Sequence, residues 1–248
     1  MPEPAIIHSV LKEIDTLDVP TSAKILDLSC GEGEILGLLA ERGYQGEGTH
    51  YRDKDYIIRN PNPILEKVTI HNPVDLTQPL PFEDNHFDLV LATEVLEHLP
   101  SHAPLLKEIG RIVKPEGIFL FTTPNCHRTL SRIQFLFTGT HALNGARLGW
   151  HTPAEDLYST HFNPVYFPVV HALLYHSGFR IQRLGFSSSR FSGILLSILF
   201  WPLTLLPTVV EAAHFKKRSP EGGKDLLKWL LKPEFLMSKQ LVVVTKME

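Results

Sequence analysis

From Ala23 to about Asn125, short apolar runs alternate with stretches of helical periodicity, the order expected of βαβ units around a parallel sheet. Runs at 24–28, 46–50, 68–71, 87–92 and 117–122 have strand length and predict five strands. Between them, Ile35, Leu36, Leu38, Leu39 and Ala40 form an apolar stripe that stops at Gly43. Leu105, Leu106, Ile109, Ile112 and Val113 form another before Pro115. These helices are expected to cover the sheet faces. Beyond Asn125 the pattern predicts a helix over 164–175 stopped by Gly178, a strand at 179–184 and a last strand at 241–245.

The segment between those last two strands is of another kind. Residues 191–210 carry no charge and are followed by Lys216, Lys217 and Arg218. A stretch of 20 residues is long enough to cross a bilayer, and the basic run suits an anionic surface. Pro202 and Pro207 interrupt a straight helix. The segment therefore reads either as a helical hairpin lying at a membrane surface or as a buried helix pair or dimer face. A strand at 241–245 in the same sheet requires the chain to return to its starting side, which excludes one simple crossing. A second amphipathic helix is expected at 225–231, after Gly222 and Gly223. The resulting division is an N-terminal helix in 1–22, a core in 23–186 and 238–248, and an apolar helical insert in 187–237.

Composition narrows the partners. At 248 residues with 43% hydrophobic and 21% charged side chains, the chain fits one large domain with an appendage and can bury a sizeable core. Lys plus Arg at 24 against Asp plus Glu at 27 gives a net charge of −3, so there is no basic excess for nucleic acid. Two cysteines, Cys30 and Cys126, cannot make a disulfide framework. The opening MPEPAIIHSVLKEI lacks the basic flank and apolar stretch of a signal peptide. The expected compartment is the cytoplasm, or the inner face of a membrane if the insert is interfacial.

The chemistry starts at KILDLSCGEGEILGLLAERG, residues 24–43, where a strand runs through a glycine turn into a helix. Gly31 and Gly33 let a ligand approach the main chain, and the helix N-terminus offers a positive dipole. A dinucleotide fingerprint would place Gly or Ala three positions after Gly33, but Leu36 stands there, which argues against NAD. With DLTQPLPFEDNHFDLVLATEVLEHL and RIVKPEGIFLFTTPN following in order, the chain resembles class I S-adenosylmethionine-dependent methyltransferases. The resemblance implies a Rossmann-like α/β fold: a seven-stranded, mostly parallel sheet whose C-terminal strand, 241–245, is antiparallel.

It also implies roles. Asp27 would attract the cationic amino-acid end of S-adenosylmethionine, with Ser29, Gly31 and Gly33 making room for it. Asp75 would accept the exocyclic amine of adenine while Leu76 donates its backbone N–H. Thr93 and Glu94 lie at the carboxyl edge of the fourth strand, where ligands bind. Two positions depart from the family's pattern. Ser29 replaces a customary glycine, and His50 stands where a carboxylate usually grips both ribose hydroxyls; Tyr51 is expected to stack nearby, and Asp53 is a more distant substitute.

Methyl transfer asks the protein to align an attacking atom and, for a hydroxyl, to remove its proton. His98 is the candidate base, with Glu94 beside it; its alternative role is to hydrogen-bond the loop. Glu94, Glu97 and His98 can also be read as ligands of a divalent cation. Similar EVLEH stretches occur in ubiquinone-pathway O-methyltransferases and metal-assisted RNA 2′-O-methyltransferases. That reading, not the favoured one, needs a further histidine, and His127, His151 or His161 could supply it only if the fold brings one across. Phe135, Phe137, Trp150, Tyr158 and Phe162 are candidate walls of a substrate pocket. The expected function is methylation, on oxygen, of a small or lipid-linked molecule. N- or C-methylation, RNA methylation and a non-catalytic module of the same fold at a membrane are the rivals.

Overall fold

The structure is a computed structural model and describes residues 3–51, 68–142, 151, 160–187 and 191–248. Asp53, Trp150 and Tyr158 lie outside them. Seven strands form one sheet: β1 (Lys24–Asp27), β2 (Gln45–Thr49), β3 (Thr69–His71), β4 (Phe87–Thr93), β5 (Val113–Pro124), β6 (Phe179–Phe186) and β7 (Gln240–Met247). Their order is β3-β2-β1-β4-β5-β7-β6. The first five run parallel, and β7 lies antiparallel to both β5 and β6, so it alone is reversed. All seven expected strands are present, and β5 begins earlier than expected. Val113 pairs with Phe87 straight off the preceding helix, and after an irregularity Ile118 pairs with Leu89.

The apolar run of β4 serves both faces of the sheet, as expected of a strand covered on two sides. Leu89 and Leu91 point into one core with Ile25, Leu120, Val242 and Val244, beneath α1 (Pro4–Thr16) and α2 (Glu34–Glu41). Val90 and Ala92 point into the other with Phe119, Phe121 and Val243. That face is covered by α3 (Ala103–Ile112), α5 (Phe167–His176), α7 (Pro220–Leu230) and α8 (Pro233–Met237).

Helix α2 sits unusually close to β2. A Cβ built at Gly46 would lie 2.6 Å from Leu36 Cδ2, and one at Gly48 would lie 2.6 Å from Cys30 Sγ and 2.9 Å from Leu36 Cδ1. The small residue that a dinucleotide fingerprint places on the helix is here supplied by the strand.

The interval between β6 and β7 is of two kinds. Helices α7 and α8 bury Leu226, Trp229, Leu230, Phe235 and Leu236 in the core. By contrast, α6 (Phe191–Arg218) is a single helix of 28 residues, not the hairpin that two prolines suggested. Each proline withdraws one N–H from the helix, while Thr204 and Thr208 donate their hydroxyls to the carbonyls of Trp201 and Thr204 in the same stretch. The helix packs along α7 and touches α8 and α4 (Thr129–Thr138). Leu199, Leu203 and Leu206 remain 68, 69 and 70% exposed.

Candidate functional site

Asp27 ends β1 at the carboxyl edge of the sheet and is 3% exposed. Its side chain accepts no hydrogen bond among the described residues, and burial pushes its carboxyl up to about 7. The turn that follows is tied to β2: the Ser29 N–H donates to Thr49 Oγ1 at 2.9 Å and the Cys30 N–H to the Thr49 carbonyl at 3.0 Å. Gly33 donates to the Cys30 carbonyl at 2.9 Å. Its amide is therefore spent closing the turn and does not face a ligand, whereas a Cβ at Gly31 would meet no atom within 4 Å. Ser29, Gly31 and Gly33 have φ of 57°, 58° and 73°. The first value explains the family's glycine, since a side chain in left-handed backbone costs roughly 1–2 kcal/mol.

At the ends of β2 and β3, the His50 N–H donates to the His71 carbonyl at 3.0 Å, and the His50 carbonyl accepts from Val74 at 2.9 Å. These bonds bring the 72–76 turn beside the β2 end. Tyr51 is exposed. Asp75 is exposed too, and its Oδ1 accepts from the Thr77 N–H at 2.9 Å and the Thr77 hydroxyl at 2.8 Å. This is an Asx turn in which Oδ2 makes no hydrogen bond among the described residues. Leu76 packs against the larger core.

The end of β4 carries the densest polar cluster. Thr93 Oγ1 is buried without a hydrogen-bond partner. Glu94 has φ of 55° and is held there by Thr122, whose carbonyl and hydroxyl accept its N–H. Its carboxyl accepts from Thr122 Oγ1 at 2.9 Å and Gln240 Nε2 at 3.0 Å. Burial pushes it up to about 7.

A 3₁₀ turn at Leu96–His98 then buries Glu97 to 1% exposure. Glu97 Oε2 accepts from Thr123 Oγ1 at 3.2 Å, while Oε1 has no hydrogen bond and lies 4.0 Å from His161 Nε2. Burial, then the charge of Glu94, holds the Glu97 carboxyl well above the usual range. His98 Nδ1 lies 3.0 Å from the Thr160 carbonyl. A carbonyl only accepts, so Nδ1 carries the proton and Nε2 the lone pair of the neutral ring. The His161 ring meets His98 edge to face at 4.7 Å. Burial and the neighbouring His98 push His161 down to about 4, and burial lowers His98 as well.

His161 arrives here because its segment is fastened to the turn. The Asn163 N–H donates to the Glu97 carbonyl at 3.1 Å and its side-chain amide to the Leu99 carbonyl at 2.7 Å. Of the three histidines that could join Glu97 and His98, the fold thus brings His161. His127 instead accepts the Phe167 N–H on Nε2 at 3.0 Å and stacks on Phe235, and His151 is exposed. Glu94, expected as a ligand, is engaged by Thr122 and Gln240. Of the expected pocket walls, Phe135 and Phe137 are 48 and 80% exposed on α4, and Phe162 is half-buried.

The residues that hold the site in shape were not singled out from the sequence. Thr49, Thr122, Asn163 and Gln240 act through hydrogen bonds spanning 20 to 146 positions, beyond the reach of any local pattern. The NP that follows HF in STHFNP was the nearest signal.

The strand order and the polar cluster along the carboxyl edge of β1, β2 and β4 define a class I methyltransferase fold. A family described as a methyltransferase domain matches residues 5–182, and the chain belongs to it. Among curated relatives, the demethylmenaquinone methyltransferase of Bacillus licheniformis is 31% identical over 110 residues, 43% of this chain and 47% of that protein. The ubiquinone biosynthesis O-methyltransferase of Haemophilus ducreyi is 28% identical over 127 residues, 48% of this chain and 52% of that protein. The matched region spans about half the length of either relative. In fold, the chain resembles the crystal structure of an S-adenosylmethionine-dependent methyltransferase from Archaeoglobus fulgidus. The TM-score is 0.58 at 16% identity, covering 98% of this chain and 94% of that one.

Proposed function

We propose that the protein transfers a methyl group from S-adenosylmethionine to an oxygen of a small or lipid-linked molecule. One observation carries the reading: a carboxyl that burial pushes up to about 7, Asp27, with no hydrogen bond among the described residues, stands at the turn where Gly31 leaves the main chain open. Burying an uncompensated carboxylate is costly, and a cationic ammonium is the partner that offsets it. The cofactor fits the rest of this edge. Asp75 keeps Oδ2 for an exocyclic amine, Leu76 its N–H for a ring nitrogen, and His50 and Tyr51 lie where a ribose would pass. Thr93 offers a hydroxyl with no hydrogen bond among the described residues.

The bound cofactor supplies a methyl group already activated on a sulfonium. What remains for the chain is to orient the acceptor and take its proton. The His98 Nε2 lone pair is available for that, because Nδ1 is committed to Thr160. Of the relatives, the one named a ubiquinone biosynthesis O-methyltransferase favours an oxygen acceptor. The exposed apolar surface of α4 and α6, followed by Lys216 and Lys217, suits an anionic bilayer surface at the inner face of a membrane.

His50 favours a second reading, a binding module without turnover, because one imidazole lone pair replaces a bidentate carboxylate. Calorimetry with S-adenosylmethionine and S-adenosylhomocysteine separates the two. Saturable binding of both supports the enzyme, and no heat at millimolar cofactor leaves the module.

A further inference from the structure

The turn after β4 holds more buried polar capacity than proton removal requires. Among the described residues, Glu97 Oε1 is buried with no hydrogen bond, and so is His161 Nδ1. Native interiors rarely leave such atoms unsatisfied, because each costs about 1–3 kcal/mol, and more for a charged group. One donor atom from each of Glu97, His98 and His161 lies within 4.8 Å of the other two. We propose that these three side chains bind one divalent transition-metal ion beside the cofactor crevice.

The geometry meets the needs of such a site. The Thr160 carbonyl fixes the His98 tautomer with its lone pair on Nε2, the usual way a backbone acceptor prepares a ligand imidazole. Metal–ligand bonds of about 2.0–2.2 Å set donors about 3–3.5 Å apart, so the three side chains close by about 1 Å. Two imidazoles and one carboxylate suit Zn²⁺, Mn²⁺, Fe²⁺ or Co²⁺ better than Mg²⁺ or Ca²⁺, which prefer all-oxygen shells. The hydrogen bonds of Asn163 to the Glu97 and Leu99 carbonyls hold the two halves of the site together across more than sixty residues.

Glu94 is not among the donors that come within 4.8 Å of one another, and its oxygens accept from Thr122 and Gln240. Three protein ligands leave coordination positions open, the pattern of a site that takes substrate or water. Resting on the methyl-transfer reading, the substrate class becomes a molecule whose hydroxyl oxygen, alone or as one of a vicinal pair, completes the coordination. A bound ion would make that hydroxyl more acidic, so that its proton leaves to solvent water before the oxygen attacks the methyl carbon, and the His98 lone pair would serve as a ligand, not as the free base.

The test uses the full chain, stripped with a chelator, dialysed and titrated with Co²⁺ by calorimetry and visible absorption. One Co²⁺ per chain is expected, with ligand-field bands of nitrogen and oxygen coordination. Glu97→Gln and His161→Asn should each weaken binding at least about tenfold while circular dichroism is unchanged. Absence of saturable Co²⁺ binding, or undiminished binding in both folded variants, overturns the site. Should either variant fail to fold, the wild-type protein still decides: saturating Co²⁺ must shift the His98 and His161 ring resonances, and unmoved rings sink the proposal. S-adenosylhomocysteine titrated into the same samples reads the methyltransferase proposal separately. A chain that binds Co²⁺ and no nucleoside would refute that proposal and leave the ion site standing.

Discussion

Three acids near the crevice are buried for different ends. Asp27 carries a raised pKa because nothing in the described chain compensates its charge. The unfolded chain ionises this group near 3.8 and the folded chain near 7. The contribution of Asp27 to the stability of the cofactor-free protein is therefore level below about pH 4, falls as pH rises to about 7 and is level above, a loss on the order of 4 kcal/mol. Urea melts of Asp27→Asn should show a decline smaller by that amount, with the part due to Glu94 and Glu97 remaining. Binding of a cation-bearing cofactor favours ionised Asp27, so affinity should climb up to about tenfold per pH unit below pH 7 and flatten above. A pH-independent affinity in the wild type would detach Asp27 from the ammonium. Asp75→Ala should weaken S-adenosylhomocysteine by about 1–3 kcal/mol through the lost adenine bond, measured by calorimetry. His98→Ala should lower turnover more than cofactor affinity, and steady-state rates set beside calorimetry check it. The glycine turn at Gly31 was legible because a strand followed by a tight turn has a local pattern, while the roles of Asp27 and Asp75 were implied by the family resemblance. The partnership of His98 with His161 was not, since the segment that supplies His161 is held by contacts to backbone carbonyls.

At the scale of elements, the fit between α2 and β2 rests on missing side chains. Gly46 and Gly48 are what allow Leu36 to lie against the strand. Gly48→Ala should cost about 1–3 kcal/mol in chemical denaturation, because Cys30 and Leu36 must both move. A neutral result would mean that α2 shifts freely, and the turn at Gly31 with it. Strand and helix positions followed from periodicity, since the short apolar run of β4 and the stripes of α2 and α3 are burial patterns written locally. The extent of α6 did not follow. Proline reads as a breaker when its lost hydrogen bond is counted alone, yet the residues around it continue the helix.

For the molecule as a whole, α6 and α4 set an apolar surface beside a compact sheet core, with Leu136 and Phe137 78 and 80% exposed on the shorter helix. The full chain should sediment with vesicles containing anionic lipid and less with zwitterionic ones. The triple variant Leu199→Glu, Leu203→Glu, Leu206→Glu should fold, because these side chains are exposed, and remain in the supernatant. Equal sedimentation of variant and wild type would assign the surface another partner. By itself the sequence determined the strand and helix positions and the glycine turn, because each follows from short-range periodicity and from the stereochemistry of single residues, while the reversed last strand was implied by the family resemblance. Only the tertiary structure decided which histidine meets Glu97, which acids are compensated, and that the apolar segment runs as one helix. Those outcomes depend on contacts between residues far apart in the chain, whose distances and desolvation exist only once the sheet has assembled.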